Sequence, residues 1–239
     1  MRELADIIRH RHSERVAFDP ARPIPPGDLD QILEAARWAP TAHNMQNYEM
    51  IVVDDPRRLE EIGRIRSEIS EVFVRENYAQ LSFSEEELLA KKTGILAAVF
   101  PPSWLTPNPD PAEISDPEHA YLGAALRSAP VLLLVVHDST RRAPASEGDV
   151  LGFMSLGCVM ENMWLTAESL GIGMQILSAM SGTQVEEELH RILEVPASVK
   201  VAFGARLGYP LEQPGQRLRV RRDVVDFAHR NSYSAPYRS

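Results

Sequence analysis

Two arginines and a serine hydroxyl lie within five residues near the start of the chain, in the segment Arg11–Arg15. Arginine offers charged bidentate donors and serine a neutral donor, and together they form the donor set that a phosphate group needs. We call this segment the first cluster, with Arg11, His12, Ser13 and Arg15 as candidate phosphate ligands. Charged segments of this kind are more often simply solvated. On this segment alone, a solvated charged turn is the favoured interpretation.

A second polar segment, Ala39–Gln46, contains side chains that both donate and accept hydrogen bonds. Thr41, Asn44 and Gln46 could recognise the edge of a heterocyclic ring, which presents both kinds of partner. The alternative is an Asx-type turn that only connects a helix to the following strand. Taken alone, this second cluster also favours the connecting turn.

A third segment, Ser178–Gly182, consists mainly of small residues and joins a predicted strand to a predicted helix. Small side chains leave backbone N–H groups accessible, and the start of a helix adds partial positive charge. Met180, Ser181 and Gly182 are therefore candidates for holding an anionic ring through their main chain. An ordinary strand–helix loop explains this third cluster equally well.

Hydrophobic periodicity places the three clusters between regular elements. A short amphipathic helix at 6–9 precedes the first cluster, and a helix from an Asp28 N-cap to about Trp38 precedes the second. The predicted strands are Met50–Val53, Val131–Val136, Ile172–Leu177 and Lys200–Leu207. The other predicted helices are Pro56 to about Tyr78, Val150–Leu170 and Thr183–Leu193. Helices and strands are mixed without regular alternation, which predicts one α+β domain over residues 1–239.

Two segments depart from the ordinary pattern. Between Val150 and Ala167 the only charged residue is Glu161, and a helix that is apolar nearly all round must be buried on every face. The segment at about 79–118 contains several prolines and has no clear periodicity. We interpret it as an excursion over the core that resembles a lid.

The composition excludes several classes of protein. With 239 residues, 44% hydrophobic and 25% charged, the chain has the composition of a soluble globular protein. A formal net charge of −9 argues against general nucleic-acid binding. Cys158 is the only cysteine, which excludes internal disulfides and thiolate metal clusters and suits a reducing cytoplasm. The segment at the start lacks a signal peptide's apolar stretch, and no stretch reads as a transmembrane helix.

The familiar catalytic motifs are missing from the sequence. It contains no phosphate loop of the GxxxxGK[ST] type, no HExxH metal helix and no GxSxG nucleophile elbow. The histidines show no metal-ligand spacing apart from the pair His10 and His12, which is more typical of a solvated segment. We therefore expect a cytoplasmic protein without a metal, and no partnership with nucleic acid or membrane.

Taken together and in this order, four motifs resemble the nitroreductase family. They are Arg11-His12-Ser13-x-Arg15, Ala39-Pro40-Thr41-x-x-Asn44-x-Gln46, the helix end Leu165–Gly173, and the strand and turn Phe203–Pro210. Arg219 and Arg221 then fall where this family places basic residues that reach back to a phosphate. The resemblance covers most of the chain apart from roughly 65–117.

The resemblance implies a nitroreductase-like α+β fold, with a central mixed or antiparallel sheet flanked by helices. It also implies an intertwined homodimer in which Val150–Leu165 forms the dimer core and FMN binds at the subunit interface. The FMN phosphate and ribityl chain would be held by Arg11, Ser13, Arg15, Arg219 and Arg221. The isoalloxazine and ribityl groups would be addressed by Thr41, Asn44 and Gln46. Backbone N–H groups of Ser181 and Gly182 would lie near flavin N5 and O4.

The implied activity is transfer of electrons from NADH or NADPH to a small conjugated acceptor, such as a nitroaromatic or a quinone, by a ping-pong mechanism. The flavin carries the redox chemistry, so no catalytic side chain is expected. Two departures, Ser181 in place of an acidic residue and Asn47-Tyr48 in place of a proline–aromatic pair, lie where the substrate would stack. The long segment at 79–118 suggests, as an alternative, a flavin-dependent dehydrogenase or dehalogenase of a specialised pathway. A flavin-binding protein without turnover is the other alternative.

Overall fold

The computed structural model describes residues 3–67, 81–99, 121–144, 146–211 and 218–237. The chain forms two compact units, Met1–Ser67 with Glu118–Pro214 and Glu68–Pro117 with Gly215–Ser239. The single domain over 1–239 stays a prediction. So does the lid at 79–118, because more than half of that segment lies outside the described residues.

The described helices are α1 (Leu4–His10), α2 (Pro26–Arg37), α3 (Pro56–Gly63), α4 (Glu85–Lys91), α5 (Leu122–Leu126), α6 (Val150–Leu170) and α7 (Thr183–Leu193). The described strands are β1 (Glu49–Val53), β2 (Ser82–Phe83), β3 (Ile95–Leu96), β4 (Val131–Asp138), β5 (Gly173–Leu177) and β6 (Val199–Gly208). Short 3₁₀ turns at Ala42–Asn44 and Ser178–Ser181 contain parts of the second and third clusters.

Four strands of the first unit form an antiparallel sheet in the order β1-β4-β6-β5. At its centre, Val131 to Val136 of β4 are at most 5% exposed. Successive side chains of a strand point to opposite faces of the sheet, so both faces of β4 are covered. This explains the unbroken apolar run in the sequence.

Helices cover the two faces of the sheet and form a three-layer unit. On one face, α2 and α6 pack around Leu133 and Val135. On the other face, α3, α5 and α7 pack around Leu132 and Leu134. The predicted antiparallel sheet flanked by helices is confirmed.

Two predicted helix boundaries are wrong. α2 begins at Pro26, with Asp28 in its first turn and not at the N-cap, because proline is favoured at the first helical position. α3 ends at Gly63 instead of continuing to about Tyr78. Beyond it, the Ile65 carbonyl accepts a hydrogen bond from Leu122 N–H at 3.0 Å, so the chain leaves the helix to bind α5. Residues 68–78 lie outside the described part.

Helix α6 spans Val150–Leu170 as predicted and ends at Gly171, which has a φ of 73°. The prediction that it is buried on every face is wrong for a single chain. Val150, Phe153 and Met154 are 57%, 56% and 61% exposed. By length and composition alone, Glu147–Leu170 could cross a membrane, but its other face packs into the core with α2 and the sheet, as in core helices of globular proteins.

The second unit contains a two-residue parallel pairing of β2 with β3 and the short helix α4. α4 begins with a capping box, in which the Ser84 hydroxyl accepts from Glu87 N–H and the Glu87 carboxylate accepts from Ser84 N–H. Lys92 Nζ donates to the Asp223 carboxylate within this unit.

Leu133 tests the central position of β4. We expect Leu133→Ala to lower the free energy of unfolding by about 2–5 kcal/mol, since it leaves a cavity at a fully buried site. The matched control is Leu89→Ala, at a position 55% exposed, which should change it by less than about 0.5 kcal/mol. Urea unfolding curves measure both, and equal losses would contradict the assignment of β4 to the core.

Candidate functional site

Helix α6 connects the candidate site residues through one stripe of its surface. Phe153, Gly157, Met160 and Trp164 are spaced by four, three and four residues, which places them on one face of the helix. Phe153, Gly157 and Met160 line a cavity, and Trp164 contacts the first cluster.

The first cluster packs against the Trp164 end of this stripe. The Arg11 guanidinium lies 4.5 Å from the centre of the Trp164 ring, and its Nε is 3.5 Å from Glu161 Oε1. Trp164 Nε1 donates to the His12 carbonyl at 3.0 Å. The Arg15 side chain is exposed and Ser13 is half-buried. The segment is therefore fixed at its backbone while charged and hydroxyl groups remain near the surface.

Glu14 lies inside the first cluster and was not a predicted site residue. It is 1% exposed, and its carboxylate accepts from Val16 N–H at 3.3 Å and lies 3.1 Å from His12 Nε2. His12 Nδ1 is 2.9 Å from the His10 carbonyl. Burial raises the pKa of Glu14, while the Val16 N–H and the Arg206 charge act in the opposite direction.

Arg206 on β6 holds the first cluster from inside the fold. Its side chain is 0% exposed, and Nη2 donates to the carbonyls of Glu14 and Val16 at 2.7 and 2.9 Å. Burial, and then the Arg127 charge, lower its pKa to about 10. The guanidinium therefore stays charged at neutral pH. Sequence reasoning missed this role, because an arginine in a core strand shows no local pattern that reveals partners roughly 190 residues away.

Two motif glycines let the chain after the first cluster approach the sheet. A Cβ on Gly173 would lie 2.8 Å from Phe18 Cε1 and 2.9 Å from Glu14 Cγ. A Cβ on Gly208 would lie 2.7 Å from Phe18 Cβ. Both distances are shorter than side chains tolerate, so the glycines are needed for Phe18 to pack, fully buried, beside the Arg206 guanidinium at 4.4 Å.

The second cluster is a strained turn anchored to α6. His43, Asn44 and Gln46 have φ angles of 52°, 52° and 46°, in the left-handed region that residues other than glycine rarely adopt. Ala42 N–H donates to Ser155 Oγ at 2.9 Å, and Gln46 N–H donates to Thr41 Oγ1 at 3.1 Å. Such strain persists only where the surroundings fix it, and it concentrates at functional sites.

Within one chain, the second cluster lies on the opposite side of α6 from the first. Ser155, its anchor, is nine residues before Trp164 in the same helix. Nine residues are about two and a half turns, so the two side chains point in opposite directions. Helix α6 therefore separates the second cluster from the first within a single chain.

The third cluster forms a 3₁₀ turn whose polar groups are partly used within it. Ser181 Oγ donates to the Ser178 carbonyl at 2.9 Å, and Gly182 N–H donates to the Ala179 carbonyl at 3.2 Å. Met180 is 0% exposed and packs in the core. Its side chain therefore has no access to a ligand, and the Gly182 N–H predicted to address a ring already has a partner.

Ser181 lines a cavity of about 350 Å³ with the α6 stripe and the start of β6. The pairing shifts there, since Val135 pairs with Phe203 but Val136 pairs with Val201, leaving Ala202 as an extra residue. Bulges of this kind are common beside active sites. His137 also lines the cavity, with its ring 5.9 Å from the Phe153 ring in an edge-on arrangement. The lining is mainly apolar and aromatic with a few polar groups, as expected for a planar ligand.

Tyr48 lies outside this arrangement. Its hydroxyl donates to the Ala36 carbonyl at 2.8 Å, and its ring packs against the core beside α2. Within one chain, Tyr48 thus links the segment after the second cluster to the end of α2, and its ring does not form a surface on which a ligand could stack. Arg219 and Arg221 belong to the second unit, and their assignment to a phosphate stays a prediction. Among the described residues, no group of histidine, cysteine, aspartate and glutamate could hold a metal ion.

Comparison with known proteins decides the family. A model of the nitroreductase family matches residues 8–209. The chain belongs to the nitroreductase family. It is 26% identical over 234 residues to an FMN reductase (NAD(P)H) of Bacillus subtilis, covering 98% of this chain and 75% of the relative. An NADPH-dependent oxidoreductase of Staphylococcus saprophyticus is 22% identical over 237 residues, with coverages of 96% and 74%.

Solved nitroreductases share the fold. A nitroreductase from Bacteroides fragilis with bound FMN superposes with a TM-score of 0.58 at 22% identity, covering 93% of this chain and 96% of that one. The predicted nitroreductase-like fold is therefore confirmed.

Glu14 gives this nitroreductase-family protein a testable pH dependence. Because its pKa in the folded state is raised above the ordinary value of 4.5, the folded protein binds more protons than the unfolded chain just above that pH. The free energy of unfolding then falls as the pH rises through this window. We expect Glu14→Gln to lack that fall, so that its stability relative to the parent protein improves from about pH 4 to pH 7.

Glu87→Gln is the matched control for this measurement. The hydrogen bond from Ser84 N–H, and then the Lys91 charge, lower the pKa of Glu87 against a smaller opposing effect of burial. The contribution of Glu87 to stability is therefore lost as the pH falls. The stability of Glu87→Gln relative to the parent protein should therefore decrease as the pH rises. Chemical unfolding at several pH values measures both trends, and parallel trends would contradict the role of burial at Glu14.

Proposed function

We propose that the protein is an FMN-dependent oxidoreductase that passes electrons from NADH or NADPH to a small conjugated acceptor such as a nitroaromatic or a quinone. The observation that carries this proposal is the α6 stripe in a chain of the nitroreductase family. The stripe joins an anion-binding segment at Trp164 to an aromatic-lined cavity at Phe153. An elongated ligand with a phosphate at one end and a planar ring at the other fits this arrangement.

The donor set of the first cluster fits a phosphate monoester. Arg11 and Arg15 offer charged donors, and Ser13 adds a hydroxyl. The protein as a whole is acidic, with a formal charge of −9. Against this background, the two arginines supply local positive charge for an anion.

The cavity fits the ring end of the cofactor. Phe153, Met160 and Phe203 supply apolar surface, while Ser181 and His137 supply polar groups at its edge. Gly157 leaves room, since a Cβ built there would contact nothing within 4 Å. The backbone of Ser181 and the second cluster would address the polar edge of the ring.

A second copy of the chain would complete the site. Val150, Phe153 and Met154 are each more than half exposed on α6, and Trp38 at the end of α2 is 71% exposed. Burying each such side chain is worth about 1.5–3 kcal/mol, and a two-fold contact of α6 with itself would bury the set in both copies. Because the second cluster faces the other side of α6, it would reach the site of the partner. We therefore propose a homodimer with two shared sites.

FMN, when bound, would supply the electron-transfer chemistry by accepting a hydride equivalent from the nicotinamide and passing electrons to the acceptor. The residues of the chain bind and orient it and exclude water from its ring. The donor and the acceptor would use the same space in turn, which is the basis for a ping-pong mechanism. No side chain is assigned a proton-transfer role.

The proposal is tested by a visible absorption spectrum followed by anaerobic titration with NADPH and then NADH. We expect bound FMN that is bleached by at least one of the two donors and then reoxidised by a quinone or a nitroaromatic. A protein that does not bind FMN on reconstitution would contradict the cofactor. Bound FMN that neither donor reduces would favour the flavin-binding protein without turnover. Reduction without transfer to these acceptors would favour the dehydrogenase or dehalogenase.

The cavity is tested in the same titration with Gly157→Leu, which places a side chain in its open space. We expect FMN binding at least about tenfold weaker, corresponding to roughly 1.4 kcal/mol. Gly27→Leu in α2 is the matched control, because a Cβ there also contacts nothing within 4 Å. Equal FMN affinities in the two variants would place the ring elsewhere.

A further inference from the structure

Three successive carbonyl groups at the end of the first cluster, those of Glu14, Arg15 and Val16, are bound by two guanidinium groups. Arg206 Nη2 donates to the Glu14 carbonyl at 2.7 Å and to the Val16 carbonyl at 2.9 Å. Arg127 donates through Nη1 to the carbonyl between them, that of Arg15. The main chain of this segment is thus held from the buried side by Arg206 and from the exposed side by Arg127.

Arg206 is itself fixed on all sides. Its Nε donates to Gln175 Oε1 at 2.8 Å, and Nη1 donates to the Leu126 carbonyl at 3.2 Å. Its guanidinium stacks on the fully buried Phe18 ring. A single side chain therefore ties the first cluster to β5 and to the end of α5.

Arg127 extends the same connection to the surface. It follows Leu126 at the end of α5 with a φ of 46°, and its Nε donates to the Ala124 carbonyl at 3.3 Å. Its carbonyl accepts from Phe18 N–H at 3.1 Å. The strained backbone at Arg127 is therefore coupled to the segment that its side chain holds.

This arrangement has a consequence for anion binding. Carbonyl oxygens carry partial negative charge and repel a phosphate, whereas guanidinium and hydroxyl groups attract it. Binding three carbonyls to Arg206 and Arg127 fixes their directions before a ligand arrives. Arg11, Ser13 and Arg15 are then presented without the conformational cost of ordering the loop on binding.

The charges of Arg206, Arg127 and Arg15 also favour anion binding. Arg127 and Arg15 lie close enough to Arg206 for their charges to lower its pKa, after the larger effect of burial, and the nearby Glu14 carboxylate opposes them. Three positive groups at this separation repel one another. An anion bound at the exposed Arg15 would relieve part of that repulsion.

We propose that Arg206 and Arg127 act as a clamp of positioning residues, which holds the first cluster in the conformation that binds the phosphate of the flavin. Neither residue was expected from the sequence. The clamp rests on the proposed function, since it requires that the first cluster binds a phosphate. It adds to that function a reason for the protein to prefer FMN over riboflavin, the same flavin without its phosphate.

The experiment compares the two flavins on apoprotein of the parent protein, Arg127→Ala and Arg206→Met, by quenching of flavin fluorescence. We expect the parent protein to bind FMN at least about 100-fold more tightly than riboflavin, as two or more charge-assisted contacts provide. In Arg127→Ala that preference should fall about tenfold, and in Arg206→Met it should fall further. In both variants the affinity for riboflavin should stay within about threefold of the parent value, because the contacts with the flavin ring are unchanged.

Arg22→Ala is the matched control, and Arg11→Ala is the comparator. Arg22 is exposed and its guanidinium stacks on Tyr209 at 3.5 Å, so its loss removes one positive charge from the first unit without touching the three carbonyls. It should keep the parent preference for FMN. Arg11→Ala, which removes a proposed phosphate ligand, should lower the preference as Arg127→Ala does.

The outcomes separate the clamp from the function on which it rests. A parent protein that binds both flavins equally would contradict the phosphate assignment itself. A parent preference that persists unchanged in Arg127→Ala would overturn the clamp alone, and so would an equal loss of both flavins, which indicates a purely structural role. If Arg206→Met does not fold, the exposed Arg127 position still decides the question.

Discussion

Helix α6 imposes the constraint on which the rest of this structure depends. Its 21 residues are apolar on nearly every side, and a helix of that kind is stable in water only when all its faces are covered. The sheet and α2 cover one side. The side carrying Val150, Phe153 and Met154 remains exposed in the single chain. The proposed homodimer meets this constraint with a second copy of the same helix, and the same contact would bring the second cluster of one chain to the stripe of the other.

A second constraint is the position of the first cluster on the sheet. Four hydrogen-bond acceptors and the Phe18 ring surround Arg206 there, a charged side chain with no solvent exposure. A buried charge is costly unless each of its donors has a partner. Here its hydrogen-bond partners are three main-chain carbonyls and one side-chain amide. The nearby Glu14 carboxylate also favours the charged form of Arg206.

The elements that depend on local pattern could be predicted from the sequence. The apolar run of β4, the boundaries of α6 and the periodicity of α7 all reflect burial that repeats along a short stretch of chain. The end of α3 could not be predicted, because the chain just beyond it forms a hydrogen bond with the distant Leu122. Pro26 and Asp28 are both typical of a helix start, and only the fold decides between them.

The candidate site could be predicted only in part, because some of its features are local in the sequence and others depend on contacts across the fold. The residue types of the first and second clusters are visible in the sequence, and the structure places them on opposite sides of α6. The roles of Arg206 and Arg127 depend on contacts across the fold with the carbonyls of 14–16, which no spacing reveals. Met180 looked like a loop residue, but its side chain fills space above Gly204, where a Cβ would lie 2.6 Å from Met180 Cγ.

The most direct test of shared sites is complementation between two variants of the chain. One variant carries Arg11→Ala and Arg15→Ala, the other carries Asn44→Ala and Gln46→Ala, and the mixed dimer is isolated through two different affinity tags. If each site combines the first cluster of one chain with the second cluster of its partner, the mixed dimer has one intact site. It should then bind one FMN per dimer with the parent affinity, while both variant homodimers bind weakly. A mixed dimer that binds no better than the homodimers would contradict the account and place each site within a single chain.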